Sequence, residues 1–174
     1  MPATVLEERS MTAGSATAIK HLPTGRGRSF AIFGSILTFK DEPQGGAHNH
    51  LTFEHRELPN SSVPPHREPS HESWYVLEGT LEVDVEGAKY QLGSGDFLAI
   101  PPGTLHSLHN PGPGPMRVLT TVSPGDAHVR LFTAVGQPVD DGLPLPKEPA
   151  ATDPGQLASV ARECGIEFLP PGER

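Results

Sequence analysis

Hydrophobic residues in this chain come in short, closely spaced runs, and where they alternate they do so with a period of two. Over 80–86 (TLEVDVE), Leu81, Val83 and Val85 fall on one face and charged residues on the other, the pattern of a strand with one buried side. Further short strands are predicted at 73–78, 88–92, 96–100, 104–109, 116–123 and 127–134. Gly79, Gly87, Gly93, Gly95, Pro101–Gly103 and Pro111–Pro115 punctuate them. Segment 50–58 alternates in part and predicts another strand. Segment 30–39 is apolar and β-rich, broken at Gly34; 41–47 (DEPQGGA) is a turn cluster, and 58–65 (LPNSSVPP) reads as a loop. Many short strands separated by Gly and Pro predict an all-β sandwich or barrel.

After Gly136 the β pattern stops. Residues 137–152 read as a Pro-rich connector, and a helix is predicted from Asp153 to Cys164. Asp153 is a suitable N-cap, Pro154 fits the first turn and Gly165 the stop. Leu157, Val160, Ala161 and Cys164 share one helical face, so Cys164 reads as a core residue rather than a nucleophile. The expected division is a polar, loosely held arm over 1–28, a barrel over 29–135, and a connector with a helical tail over 136–174.

Composition agrees with one β-rich domain. The chain has 174 residues with 19 Gly and 20 Pro, too many for a helical bundle and natural where tight turns abound. The formal charge is −8 and Lys and Arg are scattered, which argues against nucleic acid or an anionic membrane as partner. A single cysteine excludes an intrachain disulfide and a Cys-rich zinc site. The first thirty residues lack a continuous apolar stretch, and no run approaches the length of a membrane span. The cytoplasm is therefore the expected compartment.

Nine histidines carry the chemical information. In PPHREPSHESWYVLEG (64–79), His66 and Glu68 stand two apart and share a face of an extended strand, with Glu72 four residues on and Gly79 closing the segment. In GDFLAIPPGTLHSLHN (95–110), Gly95, Pro101, Gly103, His106 and Asn110 frame a Pro-Pro-Gly turn and a short strand. These stretches resemble the two signature motifs of the cupin superfamily. The second motif fits at every position. The first fits at His66, Glu72 and Gly79, but has Glu68 where a second histidine is expected and lacks the opening glycine. Over residues 28–170 the chain is similar to small monocupins of the quercetin 2,3-dioxygenase-like type.

That resemblance implies a cupin (double-stranded β-helix, or jelly-roll) barrel with a short C-terminal helix. It also implies one divalent transition metal, Ni, Fe, Mn, Co, Cu or Zn, which imidazole and carboxylate donors suit. The aligned donors are His66, Glu68, Glu72 and His106. His71 is an alternative to Glu68, although neighbours 71 and 72 point to opposite faces of a regular strand. A barrel without metal, in which Glu68 is salt-bridged, is the other reading. Glu72, and Glu68 with it, would act as base. The implied function is a metal-dependent oxidoreductase, a dioxygenase acting on a small flavonol-like or polyketide-like molecule. The alternatives are a non-oxidative isomerase, cyclase or lyase, and a cupin that binds a small ligand without turnover.

Phe53, His55, Trp74, Phe97, Leu108 and Phe132 are candidates for the pocket wall, or simply fill the core. His48 and His50 form a second His-x-His that reads either as an auxiliary metal site or as a hydrogen-bonded strand end. His109 reads as structural, and His21 and His128 have no visible partner. A homodimer is expected, because open sheet edges need covering.

Overall fold

The computed structural model describes residues 19–145 and 153–169. The chain forms β1 (Arg28–Ile32), β2 (Ser35–Asp41), β3 (Leu51–Glu57), β4 (Ser62–Arg67), β5 (His71–Glu78) and β6 (Thr80–Val85). It continues with β7 (Ala88–Gly93), β8 (Phe97–Ile100), β9 (His106–His109) and β10 (Met116–Ser123). Helix α1 (Asp126–Val135), β11 (Gln137–Val139), α2 (Pro154–Glu163) and β12 (Glu167–Phe168) complete it.

Two antiparallel sheets face each other. The larger runs β11-β1-β2-β3-β10-β5-β8 and the smaller β12-β4-β9-β6-β7, the double-stranded β-helix that the sequence implied. Between them alternate residues of each strand point inward, as in β3, where Leu51, Phe53, His55 and Glu57 are all buried. Trp74, Val76, Leu81, Val83, Met116 and Val118 form the packed centre. Gly79 joins β5 to β6 at φ +79, and a Cβ there would stand 2.9 Å from Pro115 O. Both the backbone angle and the close approach require glycine.

Three expectations need correction. Segment 127–134, expected as a strand, lies inside helix α1. His128, Leu131, Phe132 and Val135 turn one side of it toward the barrel, a spacing of three and four that marks a helix and not a strand. Segment 58–65, expected as a loop, supplies most of β4. Its Val63-Pro64-Pro65 run is accommodated by a register shift between Val63 and His66, where prolines without N–H groups cost no ladder bond. The stretch after Gly136, where the β pattern was expected to stop, adds a strand to each sheet: β11 pairs with β1, and β12 with β4. The expected N-terminal arm falls largely on residues 1–18, outside the described residues.

Helix α2 forms where expected. Asp153 accepts from the backbone N–H groups of Gly155 and Gln156, and Gly165 adopts φ +74 just past the end. Cys164 is buried with Leu131, Ala161 and Ile166 between the two helices. Among the described residues no helix is long and apolar enough to cross a membrane.

Candidate metal centre

The first motif is presented on β4 and β5, the second on β9. On β5 the burial alternates so that Glu72, Trp74 and Val76 face inward while His71 and Tyr75 face out. His71, the alternative donor, therefore points away from the cluster. His66 and His106 are register partners across β4 and β9. The Pro-Pro-Gly turn is tied to the first motif by Gly103 N–H, which donates to Glu68 O at 2.8 Å. Asn110, the last residue of the second motif, is buried. Its Nδ2 donates to the carbonyls of Glu57, Leu58 and Gly114, and its Oδ1 accepts from Gly112 N–H. Its role is to hold the loop that follows β9.

His66, Glu68, Glu72 and His106 each offer one donor atom, and these atoms lie within 4.8 Å of one another. All four residues are buried. His66 Nδ1 is 2.8 Å from Pro64 O and His106 Nδ1 is 3.0 Å from Thr104 O. A carbonyl oxygen only accepts, so both Nδ1 atoms carry a proton, and in the neutral imidazoles both Nε2 atoms keep a bare lone pair. Those lone pairs face carboxylates: His106 Nε2 is 3.2 Å from Glu72 Oε2, and His66 Nε2 is 3.9 Å from Glu68 Oε2. Acceptors facing acceptors in a buried site require a cation or a proton between them. His106 Nε2 and Glu68 Oε1 are also buried without a hydrogen-bond partner. The donor set fits a divalent ion.

The proton affinities of these groups follow from burial and proximity. Burial takes the His66 imidazole down to about 4, with the neighbouring His106 adding to the effect. Burial and then the Glu68 charge raise the Glu72 carboxyl. Burial would also raise Glu68, but His128 outweighs it and holds that carboxyl below its ordinary range. Burial works against the charged form of His106, and the Glu72 carboxylate reverses this to a net rise.

No partner for His128 is visible in the sequence. It is buried on α1 with Nε2 only 2.6 Å from Glu68 Oε2. A histidine thus stands beside the position where the first motif departs from its usual pattern, contributed from a different part of the chain. The amphipathic spacing of DAHVRLFTAV, read as a helix, would have turned His128 inward.

The cluster opens into an apolar cavity. Phe53, His55, Leu108 and Phe132 line it as expected, and Leu131, Ile166 and Phe168 line it too. Phe168 packs against His66 with ring centroids 5.2 Å apart, so β12 closes one wall. Two expected pocket residues do not take part. Trp74 is fully buried in the barrel centre, where it supports His106 at a ring distance of 5.6 Å. Phe97 lies opposite Tyr75 on the outward side of the β5–β8 pair and is 63% exposed. His109 is structural, its Nδ1 donating to Ser61 O at 3.1 Å.

Comparison with known proteins agrees with this geometry. Residues 54–122 match the cupin domain family. An RmlC-like cupin from Shewanella frigidimarina superposes with a TM-score of 0.53 at 20% identity, covering 64% of this chain and 96% of that one. The chain therefore carries a cupin domain and has the cupin fold. Among curated proteins, quercetin 2,3-dioxygenase of Bacillus subtilis is 33% identical over 100 residues, 58% of this chain and 29% of that protein. The tetracenomycin polyketide synthase protein TcmJ of Streptomyces glaucescens is 32% identical over 94 residues, 53% of this chain and 63% of that protein. The chain spans less than two thirds of the length of either curated relative.

Proposed function

We propose that this protein is a metal-dependent enzyme in which His66, Glu72 and His106 bind one divalent transition ion, with Glu68 as the fourth donor. The observation that supports it is the convergence of two bare imidazole lone pairs and two carboxylates at the edge of an apolar cavity. The substrate class is a small, largely apolar molecule with an acidic enol or phenol oxygen, flavonol-like or polyketide-like, in keeping with the two curated relatives. A bound ion supplies Lewis-acid stabilisation of that oxygen as it loses its proton. Glu72 accepts the proton, since burial and the Glu68 charge give it the higher proton affinity of the two carboxyls. His128 holds Glu68 in place, Phe53, Phe132 and Phe168 surround the rings of the substrate, and the apolar wall excludes water.

The reaction is proposed as dioxygenation, with dioxygen as co-substrate. Metal analysis of purified protein followed by oxygen uptake with a flavonol tests it. Stoichiometric uptake that depends on metal supports it. Metal-loaded protein that binds the flavonol and consumes no oxygen points to the non-oxidative reading, which the second carboxylate at position 68 favours. Binding of neither metal nor flavonol overturns both.

His128→Ala should weaken metal binding about 10- to 100-fold without abolishing it, the usual effect of removing a partner that orients a ligand. A metal titration of the variant checks this, and unchanged affinity would remove His128 from the site. The assembly is proposed to be a homodimer. Light scattering should then give twice the 18.5 kDa chain mass.

A further inference from the structure

A second cluster lies at the hairpin between β2 and β3. Asp41 Oδ2 is 3.0 Å from His48 Nε2 and 3.2 Å from His50 Nε2. The two imidazoles are stacked, with centroids 4.7 Å apart and planes within 7°, so both rings present the same edge to one carboxylate. None of the three residues lines the cavity. Asp41 pairs with Thr52, whose hydroxyl meets that of Thr121 across the strands. On β3 the neighbours of Thr52, Leu51 and Phe53, are the inward residues, so Asp41 belongs to the outer face of the sheet. His50 falls on the same outward parity by strand alternation.

We infer that Asp41, His48 and His50 form a second metal site, for a borderline divalent ion of the zinc class, on the outer face of the barrel and distinct from the cavity cluster. Three observations carry it. First, the donor atoms lie within 4.8 Å of one another. The two nitrogen–oxygen distances fall in the range of adjacent edges of a coordination shell, in which donors about 2.1 Å from the ion stand about 3.0 Å (octahedral) to about 3.4 Å (tetrahedral) apart. Second, His48 Nε2 is itself buried and makes no hydrogen bond, although a carboxylate oxygen is 3.0 Å away. Its ring axis is not aimed at that oxygen. A histidine that merely paired with Asp41 would aim its N–H at it.

Third, the carboxylate and the backbone that carries the histidines are tied down. Glu42 N–H donates to Asp41 Oδ1, leaving Oδ2 to the histidines. Gln44 N–H donates to His48 O and His48 N–H to Gly45 O, closing the turn. Asn49, between the histidines, has its carbonyl held by Gly125 N–H at 3.1 Å. Donors carried on a fixed backbone lose less freedom on binding an ion. The side chains of the three residues are about one third exposed, so water can complete the shell. Two imidazoles and a carboxylate select zinc, copper, nickel or cobalt over magnesium or calcium.

The test is a Zn2+ titration of the metal-stripped full-length chain against a competing chelator, beside His48→Ala/His50→Ala and Asp41→Asn. The double variant should lose one zinc equivalent, and Asp41→Asn should weaken the same equivalent about 10-fold or more. Beside any signal of the cavity centre, which has two imidazoles of its own, bound Cu2+ should show a second two-nitrogen signal in the wild type that is lost in the double variant, and excess Zn2+ should raise the wild-type melting temperature more than that of the variants. These side chains are partly exposed, so circular dichroism of the variants should match the wild type. An unchanged number of equivalents and unchanged affinity in the double variant overturn the site. The cavity cluster reports separately: if it takes no ion, the wild type still binds one equivalent and the double variant none.

Discussion

Replacing His106 with alanine should lower metal affinity in the cavity by at least about 100-fold, a larger loss than removal of a supporting partner causes. His106 is 1% exposed, and its Nδ1–H bond to Thr104 O directs Nε2 toward Glu72. His109 cannot replace it, because its Nδ1 is bonded to Ser61 O on the far side of the same strand. Loss of the imidazole leaves Glu68 and Glu72 to share the cavity with one nitrogen donor, and one of them must then stay protonated. Metal analysis after dialysis checks this, with His109→Ala as the control that should retain the ion. Full occupancy in His106→Ala would remove the motif histidine from the metal centre and leave the cavity as a binding pocket only.

The second large effect concerns stability and pH. Glu57 is 1% exposed, and burial raises its carboxyl to about 7, with the Ser35 hydroxyl opposing weakly. Between its ordinary value of 4.5 and about 7 the folded chain holds a proton on Glu57 that the unfolded chain has lost. Its contribution to stability therefore falls as pH rises through that window. Burial takes its neighbour His55 the other way, from 6.5 to about 4. There the unfolded chain holds the extra proton, and stability rises with pH. The two slopes oppose each other from about 4.5 to 6.5, so the contributions of this pair largely cancel in that range.

Glu57→Gln keeps the shape of the protonated acid and removes only its side of the balance. The variant should be more stable than the wild type above pH 7, by on the order of 3 kcal/mol at pH 8. It should gain nothing below pH 4.5. Urea melts at pH 4, 6 and 8 measure this. An equal difference at all three values would mean that folding does not shift the Glu57 carboxyl.

Much of the fold was legible because its strands alternate and its turns carry Gly and Pro at fixed intervals. The cluster of His66, Glu68, Glu72 and His106 was legible because both motifs are local: three of the donors lie within one short stretch over β4 and β5, and the fourth directly follows the Pro-Pro-Gly turn. What escaped was contributed from a distance. His128 reaches Glu68 only through the packing of α1, and α1 itself was hidden because DAHVRLFTA contains enough Val, Leu, Phe and Thr to pass as a strand. Ile166 and Phe168 reach the cavity through a two-residue pairing that no local pattern signals. Trp74 and Phe97 lie away from the cavity for different reasons. Trp74 shares the inward face of β5 with Glu72 but packs into the barrel centre, whereas Phe97 sits on the outward face beside Tyr75, and aromaticity alone distinguishes neither case.

Strand β12 adds only Glu167 and Phe168 to the sheet, yet it brings Phe168 from the far end of the chain to the ring of His66. The donors come from the middle of the sequence and this wall from its tail. Under the proposed function, exchange of the segment after α2 would remodel this one wall of the cavity while the strands that carry the candidate donors, and the wall made by Phe53, Leu108 and Phe132, stay untouched.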